Sequence, residues 1–397
     1  MTVPSPAPVP AVDRLLDDIA RQLGRPVPAR IAAAVRAVPR HLFVPDRIWL
    51  RDGDGGYEPC DRPERPEAWM AAAYSDAPLV TQFTDGLPSS SASMPSMVVR
   101  MLMLADLDTT PGSSEEDHGG SRGRHLELGA GTGFNAALLC ALMGGEAVTT
   151  VELDPVLAAQ AERNLKAAGY APTVACGDAA AGWAPRSPYE RIVATFSVDR
   201  IPPAWLHQTA AGGRIVTPWT SSWCRYGTLA LTVDHDGAAQ GRFHPFAAFM
   251  PMRTPTATAP GQVIAEAVHA GAPDETSTSL SPWVVAGGDL DAEFHIGLAV
   301  PGAWFAWDTS GEHAPARLDI GDDTTASWAT VDYDGQRSDR FTVTQTGPRK
   351  LWDEIHAAFT QWERLGRPSV GRYGLTVWPD GSSAPWVDSP ATLVPAV

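Results

Sequence analysis

The segment Leu126-Glu127-Leu128-Gly129-Ala130-Gly131-Thr132-Gly133-Phe134-Asn135 is where residue types and spacing first point to chemistry. A short apolar run ends in glycines at alternate positions and continues into an Ala/Leu-rich stretch, the pattern of a strand, a tight turn and a helix start. Glycine there lets the backbone turn sharply and approach a ligand closely. A lone G-x-G-x-G is weak evidence, because turns collect glycine anyway; register strengthens it. Glu127 sits inside the first strand, and Glu152 ends the next one 25 residues later, where a carboxylate can hold ribose hydroxyls. Gly177-Asp178 follows a third strand. Thr195, at the end of a fourth, is placed to face the same crevice, with plain strand packing as its alternative. The pattern fits a nucleoside ligand, and S-adenosylmethionine better than NAD, because the G-x-G-x-x-G fingerprint is absent. The candidate cofactor-binding set is Glu127, Gly129, Gly131, Gly133, Phe134, Asn135, Glu152, Leu153, Asp178, Ala179 and Thr195.

Other chemistries lose their anchors. There is no G-x-x-x-x-G-K-[ST] for phosphoryl transfer and no H-E-x-x-H for zinc hydrolysis. Gly119-Gly120-Ser121-Arg122-Gly123 matches G-x-S-x-G but lies in a polar run before a strand, whereas a nucleophile elbow follows one. Cys60, Cys140, Cys176 and Cys224 are far apart, without metal-ligand or disulfide-framework spacing, and read as free, mostly buried thiols. The 10 histidines form no cluster, so no metal site is expected.

The elements that must position these residues follow from periodicity. Val12, Leu15, Leu16, Ile19 and Leu23 recur at helical spacing, and Ile31, Val35 and Val38 mark a second short helix. Residues 51–70 are Gly-, Pro- and charge-rich and read as a loop or insertion, Met97–Leu107 as a helix, and 108–123 as a mobile polar loop. From His125 onward strands alternate with helices, with Asp154-Pro155 a clear helix start, which argues for a doubly wound parallel sheet. A Pro/Thr-rich linker follows Met252. Beyond it lie short β-type runs at Phe294–Ala299 and Arg340–Thr344 and an amphipathic helix aligning Leu351, Ile355, Phe359 and Trp362. Eight of the 14 tryptophans fall in this last third, which suggests a compact domain of its own. The expected fold is therefore α/β, a Rossmann-like sheet with N-terminal helices in residues 1–254, a linker over 255–274 and a smaller β-rich α+β domain over 275–397.

Composition narrows the partners. With 30 basic and 46 acidic side chains the formal charge is −16, which repels phosphate backbones and argues against nucleic-acid binding. No apolar run approaches the ~20 residues needed to cross a bilayer. Met1–Pro10 has neither the basic nor the apolar region of a secretory signal, so no membrane association and a cytoplasmic location are expected.

Several blocks, in order, resemble the protein-L-isoaspartate O-methyltransferases from about Ala34 to Arg253. They are Val38-Pro39-Arg40-His41-Leu42-Phe43-Val44-Pro45, Ala73-Tyr74-Ser75-Asp76-Ala77-Pro78-Leu79 and Ser91-Ala92-Ser93-Met94-Pro95, the last similar to that family's Thr-Ile-Ser-Gln-Pro active-site loop. Gly177-Asp178, Pro188-Tyr189-Glu190-Arg191-Ile192-Val193 and Gly212-Gly213-Arg214-Ile215-Val216-Thr217-Pro218 resemble its later signatures. The departures are Met94 for Gln, Ser91 for Thr, the 51–70 and 108–123 segments, and everything after Arg253. Gly347-Pro348-Arg349-Lys350-Leu351-Trp352, Gly374-Leu375-Thr376-Val377 and Trp386-Val387-Asp388 resemble an extended subgroup found with ribosomally made, modified peptides, the lanthipeptides and ATP-grasp-crosslinked peptides.

The resemblance implies an S-adenosylmethionine-dependent carboxyl O-methyltransferase, with S-adenosylhomocysteine as product and an Asp of a modified precursor peptide as acceptor. General isoaspartate repair and a non-catalytic peptide-binding module are the alternatives. Asp has a reference pKa of about 3.9, so its carboxylate is already ionised at neutral pH and needs no general base. It needs alignment with the sulfonium and exclusion of water. Hydroxyl donors suit that task, so Ser93, and secondarily Ser91, are the candidate catalytic residues; a merely solvated Ser-rich loop is the competing reading. Arg253 could pair with an acceptor carboxylate. The C-terminal tryptophans could grip a peptide or form a core.

Overall fold

The computed structural model describes residues 9–53, 55–108, 123–253, 273–322 and 324–397. Nearly all of the 108–123 loop, with its G-x-S-x-G match, and most of the 255–274 linker lie outside the described residues. The chain opens with α1 (Val9–Leu23) and α2 (Ala29–Ala37), which bury Leu15, Ile19, Ile31 and Val35. β1 (Arg47–Arg51), β2 (Tyr57–Asp61), α3 (Pro66–Ala73), β3 (Leu79–Thr84), β4 (Leu87–Ala92) and α4 (Pro95–Leu104) follow. The four strands form one antiparallel sheet, ordered β2-β1-β3-β4.

The expectation of a loop over 51–70 is corrected by this sheet. The glycines at 53–56 turn one strand back on the other, with Gly55 at φ 85°, and Pro66 starts a helix at its first position. The loop reading fails because one face of β1 and β2 mixes charged and aromatic residues, Arg47, Trp49 and Arg51 opposite Asp61, Pro59 and Tyr57, which hides the polar–apolar alternation.

The central sheet begins with β5 (His125–Leu128), and α5 (Phe134–Met143) leaves its glycine turn. β6 (Val148–Glu152) leads to α6 (Pro155–Ala167), whose N-cap Asp154 accepts from the Val156 and Leu157 amides at 2.8 and 3.3 Å. β7 (Thr173–Cys176), β8 (Tyr189–Ala194), α7 (Pro203–Gln208), β9 (Thr209–Pro218), β10 (Thr228–Val233) and β11 (Ala239–His244) complete this part. β7, β6, β5, β8 and β9 are parallel, as expected, while β10 and β11 are antiparallel additions.

The C-terminal part contains β12 (Asp274–Thr278), α8 (Pro282–Ala286), α9 (Leu290–Ala299), β13 (Ala303–Asp308), β14 (Ala316–Asp322), β15 (Trp328–Tyr333), β16 (Phe341–Thr346), α10 (Leu351–Arg364), β17 (Tyr373–Val377) and β18 (Ser383–Val387). β12 to β16 form a five-stranded antiparallel sheet, and the apolar stripe of α10 packs on it, in keeping with its spacing. Phe294–Ala299, expected as a strand, is helical. Asp289 caps α9 by accepting from the Asp291 and Ala292 amides, and a short run apolar on all sides has no periodicity to separate helix from strand.

The boundary expected near residue 274 does not separate the sheets. β17 pairs with β11 and β18 with β17, so the large sheet runs β18-β17-β11-β10-β9-β8-β5-β6-β7 and the last strands of the chain belong to it. One buried cluster accordingly runs from Leu126 to Val394. Among the described residues no helix is long and apolar enough to cross a membrane.

Candidate active site

The glycine turn sits at the carboxyl end of β5, where a doubly wound sheet offers its crevice. A side chain at Gly129, φ 91°, would meet Thr195 Oγ1 at 2.7 Å, so the turn is packed against the end of β8. Thr195 holds it there by donating to the Gly129 carbonyl at 2.6 Å. Gly131, φ 51°, is different: a Cβ there would find only the Ser91 carbonyl at 3.7 Å and Ser90 Oγ at 3.9 Å. β4 thus lies over the turn, across a space that Gly131 keeps open. Gly133 caps α5.

The acids divide into two kinds. Glu152, at the end of β6, accepts from the Gly131 amide at 2.8 Å and the Asp154 amide at 3.2 Å, with Arg253 Nη2 at 3.5 Å. Glu127 is fully buried instead. Asn135 donates to it at 2.7 Å and Thr150 at 2.6 Å, so both carboxylate oxygens are engaged beneath the turn, binding α5 to β6. Burial pushes the Glu127 carboxyl up to about 7, against those two hydrogen bonds. Asp178 caps the short turn Ala179–Ala181 after β7 by accepting from the Ala180 amide, while the Ala179 carbonyl accepts from Trp205 Nε1. Leu153 is half-buried beside Glu152. Phe134 is buried, its ring 5.9 Å from that of Phe43 and 5.8 Å from the Arg40 guanidinium. Gly131, Glu152, Leu153, Asp178 and Thr195 are therefore gathered at the strand ends; Glu127, Phe134 and Asn135 lie behind them.

The segment Ser91–Ser96 is held from both ends. Arg40, only 1% exposed, donates to the carbonyls of Ala73, Ser75, Ala77, Ala92 and Ser93 at 3.0–3.3 Å. Asp76 Oδ1 accepts from the Ser96 amide at 2.7 Å, in the first turn of α4. Burial brings the Arg40 guanidinium down to about 10, which leaves it cationic at neutral pH. Gln82 on β3 donates to Asp154 Oδ2 at 3.2 Å and fastens the hairpin to the start of α6. Ser93 is half-buried, and among the described residues nothing hydrogen-bonds its hydroxyl.

Comparison with known proteins decides what this arrangement belongs to. Residues 58–240 match the family Protein-L-isoaspartate(D-aspartate) O-methyltransferase (PCMT). The protein-L-isoaspartate O-methyltransferase of Methanopyrus kandleri is 33% identical over 245 residues, covering 61% of this chain and 91% of that one. Its counterpart from Ignicoccus hospitalis is 34% identical over 191 residues, 47% of this chain and 72% of that one. This chain belongs to the protein-L-isoaspartate O-methyltransferase family.

As a member of it, the chain is a carboxyl O-methyltransferase, and its methyl donor is S-adenosylmethionine. A solved protein-L-isoaspartate O-methyltransferase covers 95% of this chain and all of itself at a TM-score of 0.53 and 21% identity, which shows the shared fold. For this methyltransferase, Arg40 and Asp76 are the residues that reading by type and spacing misses. Both lie in the blocks that carry the resemblance, but a buried arginine serving backbone carbonyls leaves no periodic or compositional trace.

Proposed function

We propose that the chain transfers the donor methyl group to the free carboxylate of an isoaspartyl residue in a polypeptide. The observation that carries this reading is the approach of β4 to the glycine turn, Ser91 carbonyl and Ser90 Oγ standing 3.7 and 3.9 Å from a Cβ at Gly131. Donor and acceptor segments share one space there. Glu152 and its neighbours fit the donor: a carboxylate beside open backbone is the partner a ribose diol requires. In this reading Glu152 takes the ribose, Asp178 the adenine side, and the Gly129–Gly133 turn the amino-acid end. The bound sulfonium supplies an electrophilic methyl carbon.

Ser93, with Ser91 beside it, orients the acceptor. A carboxylate oxygen attacks in line, the new O–CH₃ bond forms as the C–S bond breaks, and no proton moves. The ester is a better electrophile than the carboxylate, so the adjacent backbone nitrogen can close a succinimide and release methanol. Hydrolysis of that ring returns aspartate or isoaspartate.

A second acceptor, an Asp in a crosslinked ribosomal peptide, is favoured by one observation. The segments Gly347–Trp352, Gly374–Val377 and Trp386–Asp388, which resemble the subgroup found with modified peptides, all lie beyond the family match over residues 58–240. Mass spectrometry separates the two. A gain of one CH₂ on a linear isoaspartyl peptide supports the first reading. Methylation of a ring-constrained aspartyl peptide alone supports the second, since a rigid ring avoids an ordering cost of about 1–2 kcal/mol per residue.

A further inference from the structure

The sheet β2-β1-β3-β4 has one face in the core and one on which methyl transfer as described engages only Ser91, at the β4 edge. Ile48, Cys60, Leu79 and Ala92 point into the core. On the other face Trp49 pairs with Pro59 and Val80, and Val80 pairs with Ser91, so these side chains project together in one row across the sheet. Phe83 adds to the face, its ring edge-on to Trp49 at 5.1 Å and to Tyr57 at 5.6 Å. Trp49, Tyr57 and Phe83 are half-buried and belong to neither hydrophobic core.

Arg51 stands at the rim of this cluster, 5.4 Å over the Tyr57 ring. Among the described residues it has no carboxylate partner, whereas Arg47 on the same strand is held by Asp61. In a chain of formal charge −16, an exposed cation without an acid, beside clustered aromatics, asks for an acidic and apolar partner. The row ends at Ser91, whose carbonyl overlooks Gly131. Anything lying along it arrives at the methyl-transfer crevice.

We infer that this face docks the substrate polypeptide next to its methylated residue. The bound segment is extended, with an apolar or aromatic side chain on Trp49 and Phe83 and an acidic one at Arg51. The inference rests on the methyl-transfer reading above and adds a substrate preference to it. β1 and Tyr57 lie just before the family match over residues 58–240, whereas Val80, Phe83 and Ser91 lie within it.

The test uses the full chain, its Trp49→Ala, Phe83→Ala and Arg51→Gln variants, and isoaspartyl hexapeptides bearing Phe-Glu, Phe-Gln or Gly-Gly beside the isoaspartyl residue. Methyl-transfer kinetics and fluorescence anisotropy of the labelled peptides with S-adenosylhomocysteine present are both read. Each aromatic variant is expected to raise KM and Kd for the Phe-Glu peptide about tenfold, equivalent to about 1.4 kcal/mol. Turnover number and S-adenosylhomocysteine affinity stay put, and the Gly-Gly peptide is indifferent. Arg51→Gln, at an exposed position that threatens no fold, should erase a preference for Phe-Glu over Phe-Gln. Equal affinity of the wild type for all three peptides, or variants that bind Phe-Glu as the wild type does, overturns the inference. Selective binding of Phe-Glu without methylation of any peptide would overturn the methyl-transfer reading and leave the docking face standing.

Discussion

Replacing Arg40 by Met keeps most of the side chain's bulk and removes all of its donors, leaving five backbone carbonyls without their partner. A hydrogen bond to a charged group contributes about 1.5–3 kcal/mol net, and a buried acceptor left unsatisfied costs about 1–3 kcal/mol. Five such terms cannot simply be summed, because burying the guanidinium has a cost of its own. That cost is visible in its fall to about 10. Two or three of these carbonyls left buried without a donor cost about 3–5 kcal/mol after that offset, and that is the expected destabilisation. Arg40→Lys should lose less, about 2–3 kcal/mol, since an ammonium has three donors radiating from one point in place of a five-donor fork.

Urea denaturation measures both, with the slope unchanged if only stability has moved. The same variants should lose methyl transfer more than donor binding, because two of the five carbonyls, Ala92 and Ser93, belong to the acceptor segment and none to the glycine turn. An Arg40→Met protein within ~1 kcal/mol of wild type would refute this account of the segment, since a single net hydrogen bond is worth that much.

Ser93→Ala should leave donor affinity unchanged by calorimetry and slow methyl transfer ten- to a hundredfold, a charged-acceptor hydrogen bond being worth about 1.5–3 kcal/mol; an undiminished rate would take Ser93 out of the site. Gly131→Val should abolish S-adenosylhomocysteine binding, because φ 51° disfavours a β-branched residue and its side chain would fill the space under β4. Glu127 makes stability pH-dependent: its folded pKa lies above the usual carboxylate value, so the fold retains a proton that the unfolded chain releases. The stabilisation is therefore complete below about pH 4.5 and is lost as pH rises to about 7, roughly 3 kcal/mol in all at about 1.4 per unit. Glu127→Gln, able to accept from Asn135 and donate to Thr150, should flatten that slope in denaturation curves taken from pH 4 to 8; an unchanged slope would assign it to another group.

The part of the site that is legible in the sequence is the local part. Gly129, Gly131, Glu152 and Asp178 stand out because each is tied to the end of a strand by spacing along the chain. Asp154-Pro155 is legible because a cap and a first-turn proline act within four residues. Arg40 and Asp76 act across 33 to 53 and 20 residues, and nothing local distinguishes them from surface charges. Glu127 reads as facing the ligand because a strand residue has only two faces to choose from. Asn135 and Thr150, which decide the matter, come from two other elements.

The C-terminal strands show the same limit at the scale of a domain, and there it has a consequence. Tryptophan content and a polar linker make residues 275–397 look separable, yet β17 adds to β11 through a seam that only glycine permits. A Cβ at Gly374 would strike the Gly241 carbonyl of β11 at 2.6 Å and the Trp386 ring of β18 at 2.1 Å. Arg242 lies 5.0 Å over that same Trp386 ring, and Tyr373, Leu375 and Val377 are buried in one hydrophobic cluster with Leu229, Leu231 and Phe243. At about 1.5–3 kcal/mol for each fully buried side chain, removing Val370, Tyr373, Leu375 and Val377 forfeits about 6–12 kcal/mol, comparable with the whole 5–15 kcal/mol stability of a typical protein. A chain ending at Arg253 is therefore expected to give no cooperative thermal transition and no donor binding, although the proposed donor-binding residues are all present. A folded, donor-binding product of that truncation would mean that β10 and β11 close the sheet unaided. The C-terminal region would then be an appendage to the methyltransferase rather than part of its core.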